Sequence, residues 1–187
     1  MASPSSPTGA DPSSAGGDAA DASSSHAGRS RVGRENQRYG EAGARLVAGC
    51  LPIRARADGA GVEVLMVTNK HGDGMIFPKG GWENDETAED AAARESMEEA
   101  GVRGDLSDLG EFTFRSRKGT DSDGDKLRCV ARVFVMRVTE EMPRWPEQHS
   151  RHRSWCHPKV AIASCKHDWM RDAIRLWARR DGIDIDV

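Results

Sequence analysis

The chain has 187 residues, of which 37% are hydrophobic and 30% are charged, as expected for a soluble globular protein of one domain. No apolar run approaches the ~18 residues that a membrane-spanning helix needs, so the composition predicts none. The cysteines form no C-x-x-C pair, which argues against a zinc site or a disulfide framework and predicts free thiols. They are Cys50, Cys129, Cys156 and Cys165.

The first 28 residues are small and polar, with three aspartates and no Lys or Arg. Such a segment cannot bury enough surface to offset its ordering entropy, so we predict a disordered tail over residues 1–40 and one domain over residues 41–187. The segment has neither the apolar stretch of a signal peptide nor the basic character of a transit peptide, which favours cytosol or nucleus. The rest of the chain has 27 basic and 27 acidic residues, a balance that predicts no nucleic-acid binding.

Six segments have the composition or alternation of strands, and two have the periodicity of helices. The strand segments are RLVAGCLPIRA, VEVLMVTNK, GMIFPKGG, GEFTFRSR, KLRCVARVFVMRV and RSWC, the fourth and fifth joined by a turn at DSDGD. The first helix, ETAEDAAARESMEEA, is expected to follow a cap at Asn84 or Asp85 and to stop at Gly101. The second, HDWMRDAIRLWARR, has an apolar stripe. This order predicts an α/β fold.

The first predicted helix carries three glutamates on one side. At about 100° per residue, Glu98 and Glu99 lie within about 60° of Glu95. Like charges at this spacing cost about 0.2–0.5 kcal/mol per pair, and the negative helix end disfavours them further. The cluster is therefore either a solvated acidic face or a site for Mg²⁺ or Mn²⁺, which prefer carboxylate oxygens. The opposite side, expected to pack on the sheet, is formed by Ala93, Met97 and Ala100.

Residues 80–102 match the spacing G-x5-E-x7-R-E-U-x-E-E-x-G-U, in which U is a bulky aliphatic residue. This is the signature of the Nudix hydrolase family, which the chain therefore resembles. Ser96 departs from the first U position, where we expect a small loss of packing, and Val102 satisfies the second. The seven fixed positions are Gly80, Glu86, Arg94, Glu95, Glu98, Glu99 and Gly101.

The resemblance implies a Nudix α/β/α sandwich with a mixed sheet. It also implies a hydrolase that cleaves pyrophosphate bonds with Mg²⁺ or Mn²⁺. Glu95 and Glu99 would be the principal metal ligands. Glu98 would bind metal or act as the general base.

The other box residues would have structural roles. Glu86 would hold Arg94 and so orient the loop and the helix, and Gly101 would end the helix. Gly80 and Gly81 would allow the backbone to approach the metal and the phosphate closely.

Three stretches beyond the core of the box, FPKGGWE, RLVAGCLPIR and WPEQHSRHRSW, resemble diphosphoinositol polyphosphate and diadenosine polyphosphate phosphohydrolases of plants and fungi. Residues 126–166 contain nine Lys or Arg against three acids, which suits a dense polyphosphate. We therefore expect a small polyphosphate substrate, no membrane partner and a monomer. The side chains that the resemblance places around the substrate are Lys79, Arg45, Arg128 and Arg151.

Two other interpretations stay open. An ADP-ribose or nucleotide-sugar pyrophosphatase would use the same box, and adenine would need stacking surfaces, for which Trp82 and Trp145 are candidates. The second interpretation is a non-catalytic domain that senses a polyphosphate. The presence of every box glutamate argues against it.

Overall fold

The computed structural model describes residues 31, 33–120 and 124–185. Within these ranges strands and helices follow one another along the chain. In order they are β1 (Arg45–Ala55), β2 (Val62–Thr68), β3 (Met75–Ile76), β4 (Lys79–Gly81), α1 (Ala88–Ala100), β5 (Val102–Thr120), β6 (Lys126–Glu141), β7 (Arg153–Cys156), α2 (Pro158–Ser164) and α3 (Asp168–Arg180).

The strands join one mixed sheet with the order β3-β2-β1-β6-β5. β1 and β6 are parallel, with Arg45 opposite Cys129 and Ile53 opposite Arg137. The other pairs are antiparallel, and among them β4 also joins β1 and β7 joins β2. α1 packs on β1 and α3 packs on β5. The predicted α/β fold with a mixed sheet flanked by helices is confirmed.

α1 begins later than the sequence suggested. Thr87 is its cap: the Thr87 hydroxyl accepts a hydrogen bond from the Asp90 N–H at 3.1 Å, and the Asp90 carboxylate accepts one from the Thr87 N–H at 3.2 Å. This reciprocal pair is a capping box. The cap predicted at Asn84 or Asp85 is wrong, and Asp85 instead forms an ion pair with Arg31 at 3.0 Å.

The C-terminal end of α1 is closed by a glycine and compensated by an arginine. Gly101 has a left-handed φ of 65°, and a Cβ there would lie 2.8 Å from Trp145 Cβ. Arg153 donates hydrogen bonds to the carbonyls of Ala100 and Met142, both at 2.8 Å. A cation at this end offsets part of the negative charge that the helix dipole and the glutamates place there.

The buried side of α1 differs from the prediction. Ala93 and Met97, expected to pack against the sheet, are only half-buried. Ser96, expected at the edge of the packing stripe, is fully buried and donates a hydrogen bond to the Ala92 carbonyl at 2.8 Å. On this side Glu95 and Glu99 accept hydrogen bonds from Arg94, Arg151 and the Lys79 N–H, which offset part of the cost of burying their charge. The buried residues of α1 are Ala91, Ala92, Glu95, Ser96, Glu98, Glu99 and Ala100.

Two further elements differ from their predicted extent. β5 begins at Val102, directly after α1 and well before the predicted start at Gly110, with register shifts near Gly104 and Gly110 that obscure its alternation. α2 was not predicted because seven residues are too few for a helical period; it begins with Pro158. The predicted turn at DSDGD includes residues 121–123, which lie outside the described ranges.

α3 buries the apolar stripe that its sequence predicted. Within the core, Trp169 contacts Phe77 edge-on, with ring centroids 5.5 Å apart, and stacks on Phe114 at 4.8 Å. Such pairs add to the burial of large apolar surfaces. The residues of the stripe are Trp169, Met170, Ala173, Ile174 and Trp177, all buried.

The four cysteines are free thiols, as predicted. Burial raises the pKa of Cys50 to about 12 and that of Cys156 to about 11. Neither side chain therefore forms an appreciable thiolate near neutral pH, and neither is a candidate nucleophile.

Part of the predicted tail packs on the domain. Gln37 is 7% exposed and pairs with Glu83 in an isolated β-bridge. These contacts extend the folded body into residues 33–40, beyond the predicted boundary. The predicted disorder of residues 1–30 concerns residues outside the described ranges.

Candidate active site

β4 brings the glycine pair against the glutamate helix. A Cβ added to Gly80 would lie 2.1 Å from the Glu95 carboxyl group, and a Cβ added to Gly81 would lie 2.5 Å from Gln37 Oε1. Neither position has room for a side chain, so glycine is required by close approach. The structure thus places both box glycines in the wall of the site that contains the glutamates.

Arg94 connects the glycine loop to the glutamates. Its guanidinium donates two hydrogen bonds to the Glu86 carboxylate, at 2.9 and 2.8 Å, and one to the Gly81 carbonyl at 2.9 Å. It also donates to Glu95 at 2.8 Å and lies 3.6 Å from Glu98. Arg94 thus joins Glu86, the Gly81 carbonyl and Glu95 through one guanidinium group.

Arg151 is directed inward, toward the glutamates. It is 4% exposed, and its donors bind the Thr68 carbonyl at 3.0 Å, Glu147 at 2.6 Å, and Glu99. Glu99 also accepts the Lys79 N–H at 3.0 Å. The sequence suggested that Arg151 contacts substrate phosphate; in the structure its guanidinium binds two carboxylates and a carbonyl, Glu99 among them. Sequence reasoning missed Glu147, four residues before Arg151.

The other predicted cations differ in their placement. Lys79 and Arg45 line the site with the glutamates. Arg128 is exposed on β6, opposite Arg115 of β5. It is not among the described residues that line the site with the glutamates. Of the three, only Lys79 and Arg45 are placed to contact a ligand beside the glutamates.

Burial raises the pKa of Glu95, Glu98 and Glu99. The effect on Glu99 brings its pKa to about 7, although Lys79 and Arg151 act in the opposite direction. Burial, the largest single effect, also disfavours the charge of Glu86, but the hydrogen bonds from Arg94 and from the Glu83 N–H, together with the charges of Arg94 and Arg31, lower the pKa of that carboxyl. The site therefore combines one stable ion pair with three carboxylates whose charge is incompletely compensated.

These residues enclose a cavity of about 170 Å³, called here the glutamate cavity. Its carboxylates suit a divalent cation as metal ligands. Glu95, Glu98 and Glu99 offer hard oxygen atoms, and their negative charge is only partly compensated. In the part of the chain that the structure describes, no three carboxylate, imidazole or thiol groups already surround a common point. Glu95 and Glu99 each accept a hydrogen bond from an arginine through one carboxylate oxygen, Glu95 from Arg94 and Glu99 from Arg151.

Stability and metal binding are expected to respond to pH with opposite signs. The pKa of Glu99, about 7, lies above the ordinary 4.5, so between these values the folded protein binds more protons than the unfolded one. Without metal, its contribution to stability is therefore lost as pH rises through about 7. A divalent cation competes with the same proton, so its apparent affinity should fall about tenfold per pH unit below about 7.

Thermal unfolding between about pH 5 and about pH 7, with chelator or with Mg²⁺, measures both effects. In chelator Tm should fall as pH rises, while the increment in Tm caused by Mg²⁺ should grow. Glu99→Gln, which cannot ionise, should flatten both trends. An increment independent of pH in the unaltered protein would contradict a role for Glu99 in binding the cation.

A second cavity, of about 710 Å³, adjoins the glutamate cavity and is rich in cations; it is called here the basic cavity. Arg45, Lys70 and Lys79 line both cavities. The sequence did not single out Lys70, whose proximity to the site results from the β2–β3 connection. The cationic residues of the basic cavity are Arg34, Arg45, Lys70, Lys79, Arg115, Arg151 and Lys166.

The aromatic surface near the site is also different from the one predicted. The guanidinium of Arg38 lies over the Trp82 ring at 4.6 Å and that of Arg153 over the Trp145 ring at 4.1 Å, so one face of each ring already contacts a cation. Phe114 and Trp169, which stack on each other, line the basic cavity instead. Their pairing across β5 and α3 could not be read from either segment alone.

Comparison with known proteins agrees with the box. The model of the NUDIX domain family matches residues 43–177. Nudix hydrolase 16, mitochondrial, of Arabidopsis thaliana is 47% identical over 153 residues, which cover 77% of this chain and 84% of that protein.

Solved structures share the fold at low sequence identity. A C. elegans Ap4A hydrolase in a binary complex has a TM-score of 0.54 at 20% identity, covering 73% of this chain and 97% of that one. The NUDIX domain of Shewanella oneidensis NrtR, complexed with ADP ribose, has a TM-score of 0.57 at 15% identity, covering 72% and 86%.

Proposed function

The chain belongs to the Nudix domain family, whose hydrolases act on pyrophosphate bonds, and we propose that it cleaves such bonds in small molecules with many phosphates. Diphosphoinositol polyphosphates are the first proposed substrate class and diadenosine polyphosphates the second. The observation that carries the proposal is the continuous set of cations that joins the glutamate cavity to the basic cavity.

The balance of charge supports a polyphosphate. Lys70 and Lys166 have carboxylate partners, Glu147 at 3.1 Å and Asp73. Lys79 and Arg45 form no ion pair within the described ranges, although both line the two cavities. Cations that converge without a counter-charge are stabilised by an anionic ligand, and guanidinium groups match phosphate oxygens well.

The box glutamates supply the proposed chemistry. Glu95 and Glu99 would hold Mg²⁺ or Mn²⁺, and Glu98 would bind the cation or accept a proton from the attacking water. A divalent cation bound there neutralises phosphate charge and acts as a Lewis acid. Arg94 keeps Glu95 oriented, and Arg151 does the same for Glu99.

One observation favours diadenosine polyphosphates as the second class. The stacked rings of Phe114 and Trp169 give the basic cavity an aromatic wall, on which a nucleobase could pack. An ADP-ribose or nucleotide-sugar substrate would use the same wall, yet its two phosphates would leave several cations unmatched. A sensor without activity is disfavoured because every catalytic glutamate is present.

A substrate panel tests the proposal. The protein is incubated with Mg²⁺ and, at equal concentration, a diphosphoinositol pentakisphosphate, diadenosine hexaphosphate or ADP-ribose. Orthophosphate release is measured for the first, and products are separated by anion-exchange chromatography for the others. We expect the highest kcat/KM for the inositol compound, because it presents the most phosphates to the cations.

Each outcome of the panel distinguishes one interpretation. Preferential turnover of ADP-ribose would retain the pyrophosphate chemistry and reject the polyphosphate substrate. Tight binding of the inositol compound with no turnover of any substrate would favour the sensor.

The cellular compartment and the partners are proposals of the same kind. We propose a monomer in the cytosol or nucleus, although the Arabidopsis relative carries a mitochondrial name. No helix in the described ranges is long and apolar enough to cross a bilayer. Imaging of a C-terminal fluorescent fusion and light scattering of the purified protein test these two points.

A further inference from the structure

We infer that Arg34, on the segment before β1, acts with Arg45 to bind a substrate phosphate other than the one at the scissile bond. The inference rests on the proposed function and adds a specificity residue from a part of the chain that its sequence assigned to a tail. Arg34 would make the protein select substrates by their number of phosphates.

The segment that carries Arg34 is held in place by Gln37. The two N–H groups of Gln37 Nε2 face three carbonyl oxygens, those of Arg38 and Leu46, both at 2.8 Å, and that of Trp82 at 3.0 Å. The Gln37 backbone N–H donates to the Arg34 carbonyl at 3.2 Å. A buried side chain with this many partners fixes the backbone next to the cavity, so Arg34 starts from a defined position.

The same glutamine orients Arg45. Its side-chain oxygen accepts a hydrogen bond from Arg45 Nε at 2.8 Å. Within the described ranges no hydrogen-bond partner occupies the two terminal nitrogens of Arg45. That end of the guanidinium is therefore available to a ligand, and Arg45 lines both cavities.

Arg34 and Arg45 are neighbouring cations that have no ion-pair partner among the described residues. Neither has a carboxylate within ion-pair distance in the part of the chain described by the structure. Burial, and next the charge of Arg34, lower the pKa of Arg45, which reflects the cost of this arrangement. An anion between the two guanidinium groups would offset that cost, and phosphate fits their paired donors.

The position of Arg34 determines which phosphate it reaches. Arg45 and Lys79 line the glutamate cavity, where the scissile bond would lie. Arg34 lines the basic cavity and is not among the described residues of the glutamate cavity. A short substrate placed on the glutamates would therefore contact Arg45 but end before Arg34. A longer polyphosphate, or an inositol ring with several phosphates, would reach both.

Arg34→Gln tests the inference, with Arg179→Gln as the matched control. Arg179 is exposed at the end of α3, is absent from the described linings of both cavities, and its replacement removes the same charge. Binding of inositol hexakisphosphate, which contains no pyrophosphate bond, is measured by calorimetry. We expect Arg34→Gln to raise Kd about tenfold, as for the loss of one charge-assisted hydrogen bond, and Arg179→Gln to leave it within about twofold.

Kinetics with two diadenosine substrates provide an independent measurement. Arg34→Gln should raise KM about tenfold for the hexaphosphate and hardly at all for the triphosphate, with kcat changed little for either. Equal effects of Arg34→Gln on KM for both substrates would overturn the inference. So would an equal loss of affinity for inositol hexakisphosphate in Arg34→Gln and Arg179→Gln, because it would show only an effect of net charge. Arg34 is exposed, so Tm should not change, and a lower Tm would mark a structural effect instead.

The inference and the proposed function fail in different ways. If the unaltered protein binds inositol hexakisphosphate through Arg34 but turns over no substrate, the phosphate site stands and the hydrolase proposal fails. If it turns over polyphosphates with no dependence on Arg34, the proposal stands and the inference fails. No binding of inositol hexakisphosphate by the unaltered protein would reject the inference directly.

Discussion

Glu98→Gln is expected to lower kcat by about 10²- to 10⁴-fold, the range for removal of a general base. Glu98 is 8% exposed and its carboxylate lies 3.6 Å from Arg94, too far for a hydrogen bond. Burial and then the charge of Glu95 raise its pKa, which improves it as a proton acceptor near neutral pH. Glutamine keeps the shape of the side chain and removes the charge, so turnover of the diphosphoinositol substrate measures the chemical role.

Glu89→Gln is the matched control for this prediction. Glu89 lies on the same helix but is exposed, and its replacement should leave kcat within about twofold, as for an ordinary surface position. The increment in Tm caused by Mg²⁺ separates the two roles of Glu98. If Glu98→Gln keeps that increment, Glu98 acts as the base, and if it loses the increment with the activity, Glu98 is a ligand. Retention of more than about a tenth of kcat would argue against both roles.

The sequence predicted the order of most elements because their periodic patterns are long. α3 is an example: a stripe repeated over three turns leaves one possible buried face. The sequence did not predict α2, because seven residues are too few to show a helical period. It also missed the start of β5, because bulges interrupt the alternation there. The predicted cap of α1 was wrong because Asn84, Asp85 and Thr87 all suit a helix start, and only the contact with Asp90 selects Thr87.

For the site, the spaced box located the glutamates but not the direction in which they point. A helical wheel gives relative angles, and the expectation that apolar residues face the sheet placed Met97 inside and the glutamates outside. The structure reverses this because Arg94 comes from the helix itself and Arg151 from a distant loop. The contact of Arg151 with Glu99 joins residues 52 positions apart and has no local signal. The same holds for Gln37, whose segment looked like a continuation of the polar tail.

Arg94→Met is expected to lower the free energy of unfolding by about 3–5 kcal/mol, as when one member of a buried ion pair is removed. The Arg94 side chain is 15% exposed and that of Glu86 is 8% exposed. Methionine retains the aliphatic volume but leaves Glu86 and Glu95 without their shared cation. Urea denaturation measures the loss, and activity should fall with it because Glu95 is no longer oriented.

The double variant Arg94→Met, Glu86→Met shows whether the lost stability comes from unpaired charge. With both members replaced, Glu86 is no longer left unpaired and only Glu95 and Glu98 lose a cation, so the double variant should be more stable than the sum of the two single losses predicts, by about 0.5–3 kcal/mol. Strictly additive losses would mean that Glu86 and Arg94 act independently. An Arg94→Met protein within about 1 kcal/mol of the original would mean that water or Lys79 compensates these carboxylates. The box arginine would then matter for orienting Glu95 and not for holding the loop on the helix.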